Sequence, residues 1–415
     1  MAVYIASARR TAFGAFGGAL KSLTASQARP PRPRTPRRAA DAPHSAHRSQ
    51  LGGHAAKAAL QDLPEGTQVD SVIFGQVLYS DPSAAYLARH VGHLAGVPVD
   101  VPALTVNRLC GSGFQAVINA AQEIKLGEAN VVLTGGTDNM SLSPYTLSGS
   151  SRFGNKYGVD LKLEDSLAQA LTDRVPNPTT AENLAKKYGI TRQQCDEYAL
   201  QSQKRWKEGL DAGAFAAEIT PVSLPPKKRG GEPISFSQDE HPRPQATLEQ
   251  LAKLPPVFAK DGTVTAGNAS GICDGAAANV VVSDEAIKRY GIKPLAKVVA
   301  YHVNAVEPTV MGIGPVEGIR GVLKKAGMTI DDIDLFDVNE AFAAQWLAVQ
   351  KELGLPNEKS NVNGGAIALG HPLAASGARI TNNLVHNLHR LNKRFAIGSA
   401  CIGGGQATTI LFERV

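Results

Sequence analysis

The sequence predicts an α/β protein built from two similarly folded halves, with a separate lobe inserted into the first. Three observations carry this reading. Segments of the two halves match at a constant offset of 264 positions, apolar strand runs alternate with helical patterns, and one long stretch interrupts the alternation. A period this long marks a duplicated domain, since solenoid repeats are far shorter.

Taken in chain order, the first element is a helix over SLTASQ and LGGHAAKAALQDL, two segments separated by Ala28–Gln50. That separator holds five prolines and six arginines, and proline removes a donor and clashes inside a helix, so no regular element is expected there. It reads as a solvated Arg/Pro loop, as an anionic-surface or nucleic-acid tether, or as sequence foreign to the native protein. Next, VDSVIFGQVL from Val69 is a strand run whose counterpart is IDLFDVNEAF from Ile333. The turn at Ser112-Gly113 corresponds to Ser376-Gly377, and Leu109 to Leu373. FQAVINAAQEI then reads as a helix with Phe114, Val117, Ile118, Ala121 and Ile124 on one face. The strand VVLTGGT from Val131 pairs with FAIGSAC from Phe395. Between the halves, a helix over TAENLAKKYGI…CDEYALQSQKRW and the run PPKKRGGEP read as the inserted lobe. The expected organisation is residues 1–140 with 267–285 as the first half, 141–266 as the insert and 286–415 as the second half.

Composition excludes several classes. Of 415 residues, 43% are hydrophobic and 19% charged, enough apolar material for a core and too much for a disordered chain. The four cysteines include no CxxC, so neither a disulfide scaffold nor a metal site is expected. No apolar run reaches the roughly 18 residues of a spanning helix, and a soluble intracellular protein is expected. The formal charge of +6 falls to +1 once Ala28–Gln50 is set aside, which argues against a nucleic-acid partner.

Divergence between the halves points to chemistry. At equivalent turns the first half has Asn107-Arg108-Leu109-Cys110-Gly111-Ser112-Gly113, and the second has His371-Pro372-Leu373-Ala374-Ala375-Ser376-Gly377. Turns related by a pseudo-twofold axis face each other, so a thiol and an imidazole could meet, as thiolate nucleophilic catalysis requires. Cys110 precedes a helix, whose N-terminus favours the thiolate; the plain alternative is a small buried hydrophobe. Cys401 ends a strand and opens Ile402-Gly403-Gly404-Gly405, where glycines let backbone N–H groups approach an oxyanion. Asn339-Glu340 ends the strand LFDV, with capping as the structural alternative. Cys195, Cys273 and His302 have no such setting and read as bystanders.

NRLCGSGFQAV, GNASGICDGAAA, VNEAFA, NGGAIALGHP and GSACIGGGQA resemble, in order, the signature blocks of the thiolase family, over the whole chain except Ala28–Gln50. TAENLAKKYGITRQQCDEYALQSQKRW, RPQATLEQLAKLPPVF and KDGTVTAGNASG most resemble the mitochondrial-type 3-ketoacyl-CoA thiolases of β-oxidation. They resemble less the acetoacetyl-CoA thiolases, which carry a His-Met-Gly where this chain has Asn177-Pro178-Thr179. The resemblance implies a five-layered αβαβα fold and thiolytic cleavage of 3-ketoacyl-CoA, with no resident cofactor and coenzyme A as co-substrate. Acetoacetyl-CoA thiolase, or a weakly catalytic binding protein of this fold, is the alternative. It implies Cys110 as acyl acceptor and His371 as its activator, with Asn339 and a water completing one oxyanion hole. Cys401 would be the acid/base, and the N–H groups of Cys110 and Gly403 the second hole. Coenzyme A contacts would fall on Arg243 and Ser270, with Ala246 lacking a hydroxyl found in similar enzymes. Ala374-Ala375 stand where the family usually has Gly-Gly, so two methyl groups beside His371 are expected to narrow the acyl pocket or lower activity. A homodimer or homotetramer is implied. AVYIASARRTAFG resembles the family's first strand. Residues 1–40 lack Asp and Glu, and the chain closes on FERV without Ser-Lys-Leu, so mitochondria are the expected location, with the cytoplasm as the alternative.

Overall fold

In the computed structural model, residues 1–24, 51–80, 83–148, 154, 161–172, 180–226 and 230–415 are described. The Arg/Pro segment and Asn177-Pro178-Thr179 lie outside them. A mixed sheet runs through both halves in the order Leu335–Val338, Phe395–Ile402, Gln406–Arg414, Ala296–Ala305, Val3–Thr11, Cys273–Ser283, Val131–Asn139, Ser71–Gly75, Ala103–Val106. Read from its middle, between Ala296–Ala305 and Val3–Thr11, the order repeats in both directions. Ser71–Gly75 mirrors Leu335–Val338, and Val131–Asn139 mirrors Phe395–Ile402, each pair starting at the offset read from the sequence. Only Tyr4↔Lys297 and Ile5↔Ala296 pair across that middle, so the halves meet on a narrow hinge of backbone hydrogen bonds.

Layering follows from which faces are apolar. The helices Ser112–Leu126 and Ser376–Arg390 pack on each other and on strands of both halves, burying Phe114, Val117, Ile118, Ala121 and Ile124 against Ile380, Leu384 and Leu388. Helices Leu51–Gln61 and Leu87–Ala95 cover the outer face of the first half, and Gly314–Ala326 with Ala343–Leu353 that of the second. The stack is helix, sheet, helix pair, sheet, helix. The two central helices come together because both carry glycine at the crossing. A Cβ on Gly113 would lie 2.4 Å from the Ala378 nitrogen, and one on Gly377 would lie 2.3 Å from the Phe114 nitrogen. These are one contact seen twice through the pseudo-twofold, and it sets the distance between the two turns that begin these helices.

The insert reaches across to the other half. The reading of one helix over Thr180 to Trp206 is corrected: helices Thr180–Tyr188 and Arg192–Asp211 are separated by Gly189 at φ +64° and restarted by a Thr191–Gln194 capping box. Both pack on the second half, against Ala343–Leu353. The fully buried Arg10 on the first strand anchors the insert, donating to Glu218 at 2.7 Å and to Asp239 at 2.6 and 3.0 Å. The two carboxylates and the guanidinium are buried together and paired with one another.

Candidate active site

Cys110 sits on a turn that its neighbours hold in shape. Leu109 adopts φ +46°, a left-handed conformation that costs a non-glycine residue about 1 kcal/mol and persists only where surroundings fix it. The fixing bonds are local: Asn107 Oδ1 accepts from the Leu109 N–H at 3.0 Å, Ser112 Oγ accepts from the Arg108 N–H at 2.9 Å, and Ser112 Oγ donates to the Leu109 carbonyl at 2.7 Å. The half-buried thiol is thereby held just ahead of the helix Ser112–Leu126, whose N-terminus favours negative charge. Arg108 Nη1 reaches across to Gln406 Oε1 at 2.7 Å, tying this turn to the second half.

Cys401 approaches from that second half. It is fully buried near the end of the strand Phe395–Ile402, and Ile402 packs directly on Gly111, where an added Cβ would lie 2.3 Å from the Ile402 side chain. Burial pushes the Cys401 thiol far up, and negative charge on Cys110 pushes it further, so Cys401 holds its proton when Cys110 is a thiolate.

His371 lies on the equivalent turn of the second half, its ring buried. Burial, then the positive charge of Arg379, lowers its pKa to about 3, so the imidazole is neutral at physiological pH. Its tautomer follows from its partners. Ser376 Oγ stands 2.5 Å from Nδ1 and donates to the Pro372 carbonyl at 3.1 Å, which leaves Nδ1 as the donor. Nε2 is then a bare acceptor, consistent with Asn339 Nδ2 at 3.3 Å. Asn339 Oδ1 is buried and has no hydrogen-bond partner among the described residues. Glu340, next to Asn339, accepts from Tyr198 at 2.6 Å, Ser202 at 2.7 Å, the Ile367 N–H at 3.1 Å and Asn361 at 3.2 Å. Tyr198 and Ser202 come from the insert and Asn361 and Ile367 from the second half, so Glu340 ties the two together next to Asn339. Glu340→Ala would leave those donors unpaired in the interior, and a loss of about 3 kcal/mol or more is expected from the denaturant midpoint.

Gly403 is half-buried on the rim of a cleft of about 520 Å³, lined also by Val77, Leu78, Leu109, Pro144 and Ala170. This mostly apolar cleft adjoins the Cys110 turn. Ala374 and Ala375 are fully buried, the first packed with Val77, Leu78 and Met140, the second with Phe13, Trp206 and Phe215. Their methyl groups fill core space.

Ser270 is near the His371 turn: its N–H donates to the Ala341 carbonyl at 3.0 Å, and the next residue, Gly271, accepts from the His371 N–H at 2.8 Å. Arg243 is exposed, and its Nη1 donates to the carbonyls of Glu240, His241 and Pro242 at 3.0, 2.7 and 3.0 Å. His241 packs over Gly271, so the Arg243 loop and Ser270 share one face, and Ala246 closes the turn with its N–H on the Arg243 carbonyl.

Sequence reasoning treated Cys273 as remote, but the structure presses its sulfur against the Gly370–His371 backbone, where burial raises its pKa well above the usual thiol value. Ser376 was visible only as a repeat match to Ser112; both hydroxyls brace the turn four residues before them. Glu340 was singled out only with Asn339 at a strand end and Asp138 not at all, because only the fold shows what their oxygens accept. Cys195 is buried, with a pKa raised to about 12 by burial first, and is inert. Among the described residues no cluster could hold a metal ion, and no helix is long and apolar enough to cross a membrane.

Two family models match the chain, the thiolase N-terminal domain over residues 33–285 and the thiolase C-terminal domain over residues 292–414. The chain belongs to the thiolase family. It is 52% identical over 415 residues to human mitochondrial 3-ketoacyl-CoA thiolase, covering 99% of this chain and 98% of that protein. It is 45% identical to the acetyl-CoA acetyltransferase of Chromobacterium violaceum, over the full length of both. Crystal structures of the human mitochondrial enzyme, without and with CoA, superpose with TM-scores of 0.91 and 0.90, covering all of this chain and 99% and 98% of those chains. This thiolase thus shares the fold of that enzyme throughout.

Proposed function

We propose that this thiolase cleaves 3-ketoacyl-CoA with coenzyme A, giving acetyl-CoA and a shortened acyl-CoA. What carries the reading is that the turn-borne Cys110 lies within electrostatic reach of a buried, protonated Cys401 and packs with Leu373 and Ala374 of the turn that bears a neutral His371. The relative at 52% identity bears the name of this activity, and a CoA complex is known for a closely similar structure.

His371 Nε2 takes the Cys110 proton, and the thiolate attacks the 3-keto carbon. The C2–C3 bond breaks with its electron pair moving to C2, where the neighbouring thioester carbonyl delocalises it as an enolate. Asn339, His371 and a water held at Asn339 Oδ1 face one developing oxyanion, and the N–H groups of Cys110 and Gly403 face the other. Cys401 protonates C2, releasing acetyl-CoA and leaving acyl-Cys110. A second coenzyme A gives its thiol proton to Cys401, its sulfur attacks the acyl carbonyl, and Cys110 leaves as thiolate and takes its proton back from His371. Two thiols serve because attack and protonation occur at adjacent carbons from different sides. Coenzyme A lies along the Ser270–Arg243 face, its anionic end toward Arg243.

Steady-state thiolysis with ketoacyl chains of C4 to C16 tests this. Turnover of medium and long chains is expected; turnover of C4 alone would instead make the chain an acetyl-CoA acetyltransferase, as the Chromobacterium relative is named. No turnover at any length would leave a binding role. A mitochondrial location is favoured by the names of the mammalian relatives, and a homodimer or homotetramer by family membership.

A further inference from the structure

Asp138 is the penultimate residue of the strand Val131–Asn139 and is fully buried, outside the thiol–imidazole set. Three backbone donors converge on it. Oδ1 accepts from the Val77 N–H at 3.0 Å and the Leu78 N–H at 2.9 Å, and Oδ2 accepts from the Ala374 N–H at 2.7 Å. Val77 and Leu78 form a wall of the cleft beside Cys110. Ala374 belongs to the other half and lies on the short segment between His371 and Ser376, the residue that fixes the imidazole. One carboxylate therefore spans the acyl-side wall and the imidazole turn.

We propose that Asp138 is a positioning residue for the reaction, holding the Val77–Leu78 wall and the His371 turn at one fixed separation. The proposal rests on the ketoacyl-CoA reading of the site. Sterics support it from the opposite side. The Ala374 carbonyl lies so close to Gly136 that a Cβ there would be 1.9 Å from its oxygen, so the turn is seated against the strand that carries Asp138. A carboxylate is the group this geometry requires, since both oxygens must accept. An amide supplies one accepting oxygen and would set its NH₂ against an N–H.

Burial, first of all, raises the Asp138 carboxyl to about 7, with the charge of Asp274 adding to it. The ionisable groups around it are Asp274 and Cys273 on the neighbouring strand, His371 on the turn it holds, and Cys110 on the turn opposite. Because its pKa is raised, the carboxylate is complete above pH 7, and one acceptor is lost as pH falls through that value.

The test compares full-length wild type with Asp138→Asn and Asp138→Glu. One readout is the rate of Cys110 alkylation by iodoacetamide, located by peptide mass spectrometry, which needs no CoA substrate. The other is the ratio of kcat/KM for a C8 over a C4 ketoacyl-CoA. For Asp138→Asn, alkylation slowed by about tenfold and a ratio changed by at least about threefold are expected, while Asp138→Glu keeps alkylation within about threefold of wild type. Unchanged values in Asp138→Asn with only a lower melting temperature, or equal losses in both variants, would overturn the proposal. Should Asp138→Asn not fold, the wild-type C8/C4 ratio between pH 6 and pH 8 decides it, since ionisations common to both substrates cancel. A ratio that shifts across pH 7 supports the clamp and a constant one overturns it. Absence of wild-type thiolysis would count against the proposed function alone, and the alkylation arm would still judge Asp138.

Discussion

Cys110→Ala should abolish acyl-enzyme formation and lower thiolysis on the order of 10⁴-fold or more, the scale seen when a covalent nucleophile is removed. Incubation with radiolabelled acetyl-CoA provides the direct measurement, because only an acylated side chain carries label through denaturation. The turn around Cys110 is fixed by the Asn107 and Ser112 side chains, which the substitution leaves in place, so the variant should keep its fold. Cys401 and Cys273 cannot substitute, since both are buried and burial holds their thiols protonated. A variant that still takes up label, or shows a burst of product, would remove Cys110 from the mechanism.

Cys401→Ala should divide the two chemical steps. Carbon–carbon cleavage leaves a carbanion at C2 that needs an acid positioned beside it, and loss of that acid costs on the order of 10²- to 10⁴-fold. Thioester exchange is less demanding, because the coenzyme A thiol ionises not far above neutral pH and can attack or depart as thiolate. The variant should therefore label Cys110 from acetyl-CoA at a rate much nearer to wild type than its rate of ketoacyl-CoA thiolysis. Equal losses in both assays would mean that Cys401 acts on something other than the C2 proton. The two experiments assign the two sulfurs independently, one through covalent capture and the other through the step that fails.

Much of the site was legible because a duplicated chain displays its own differences. Positions that agree between the halves, such as Ser112 with Ser376 and Gly113 with Gly377, brace and pack equivalent turns. Positions that disagree, such as Asn107 with His371 and Cys110 with Ala374, are where the proposed chemistry differs between the copies. Cys401 was signalled by the glycines after it, and Asn339 by its place at a strand end. Asp138 and Cys273 gave no such signal, and Glu340 only its place beside Asn339. A buried carboxylate is defined by the donors that surround it, and those donors are backbone N–H groups and side chains from distant positions: Val77, Leu78 and Ala374 for one, Tyr198, Ser202, Asn361 and Ile367 for the other. The break between the helices Thr180–Tyr188 and Arg192–Asp211 was missed for a different reason. Gly189 and Thr191 are ordinary enough singly, and it is their combination as stop and restart that ends one helix and begins the next.

Sequence alone settled the α/β class, through periodicity that acts over a few positions, and the doubling of the core, through matches at one offset; the resemblance of its signature blocks carried the family and the proposed reacting residues. Tertiary structure decided the protonation states: burial beside Arg379 makes His371 neutral, and burial beside Cys110 keeps Cys401 protonated. It also decided which carboxylates join the two halves. Desolvation and charge–charge interaction depend on what lies within a few ångströms in space, and at Cys110 and Cys401 those neighbours come from opposite ends of the chain.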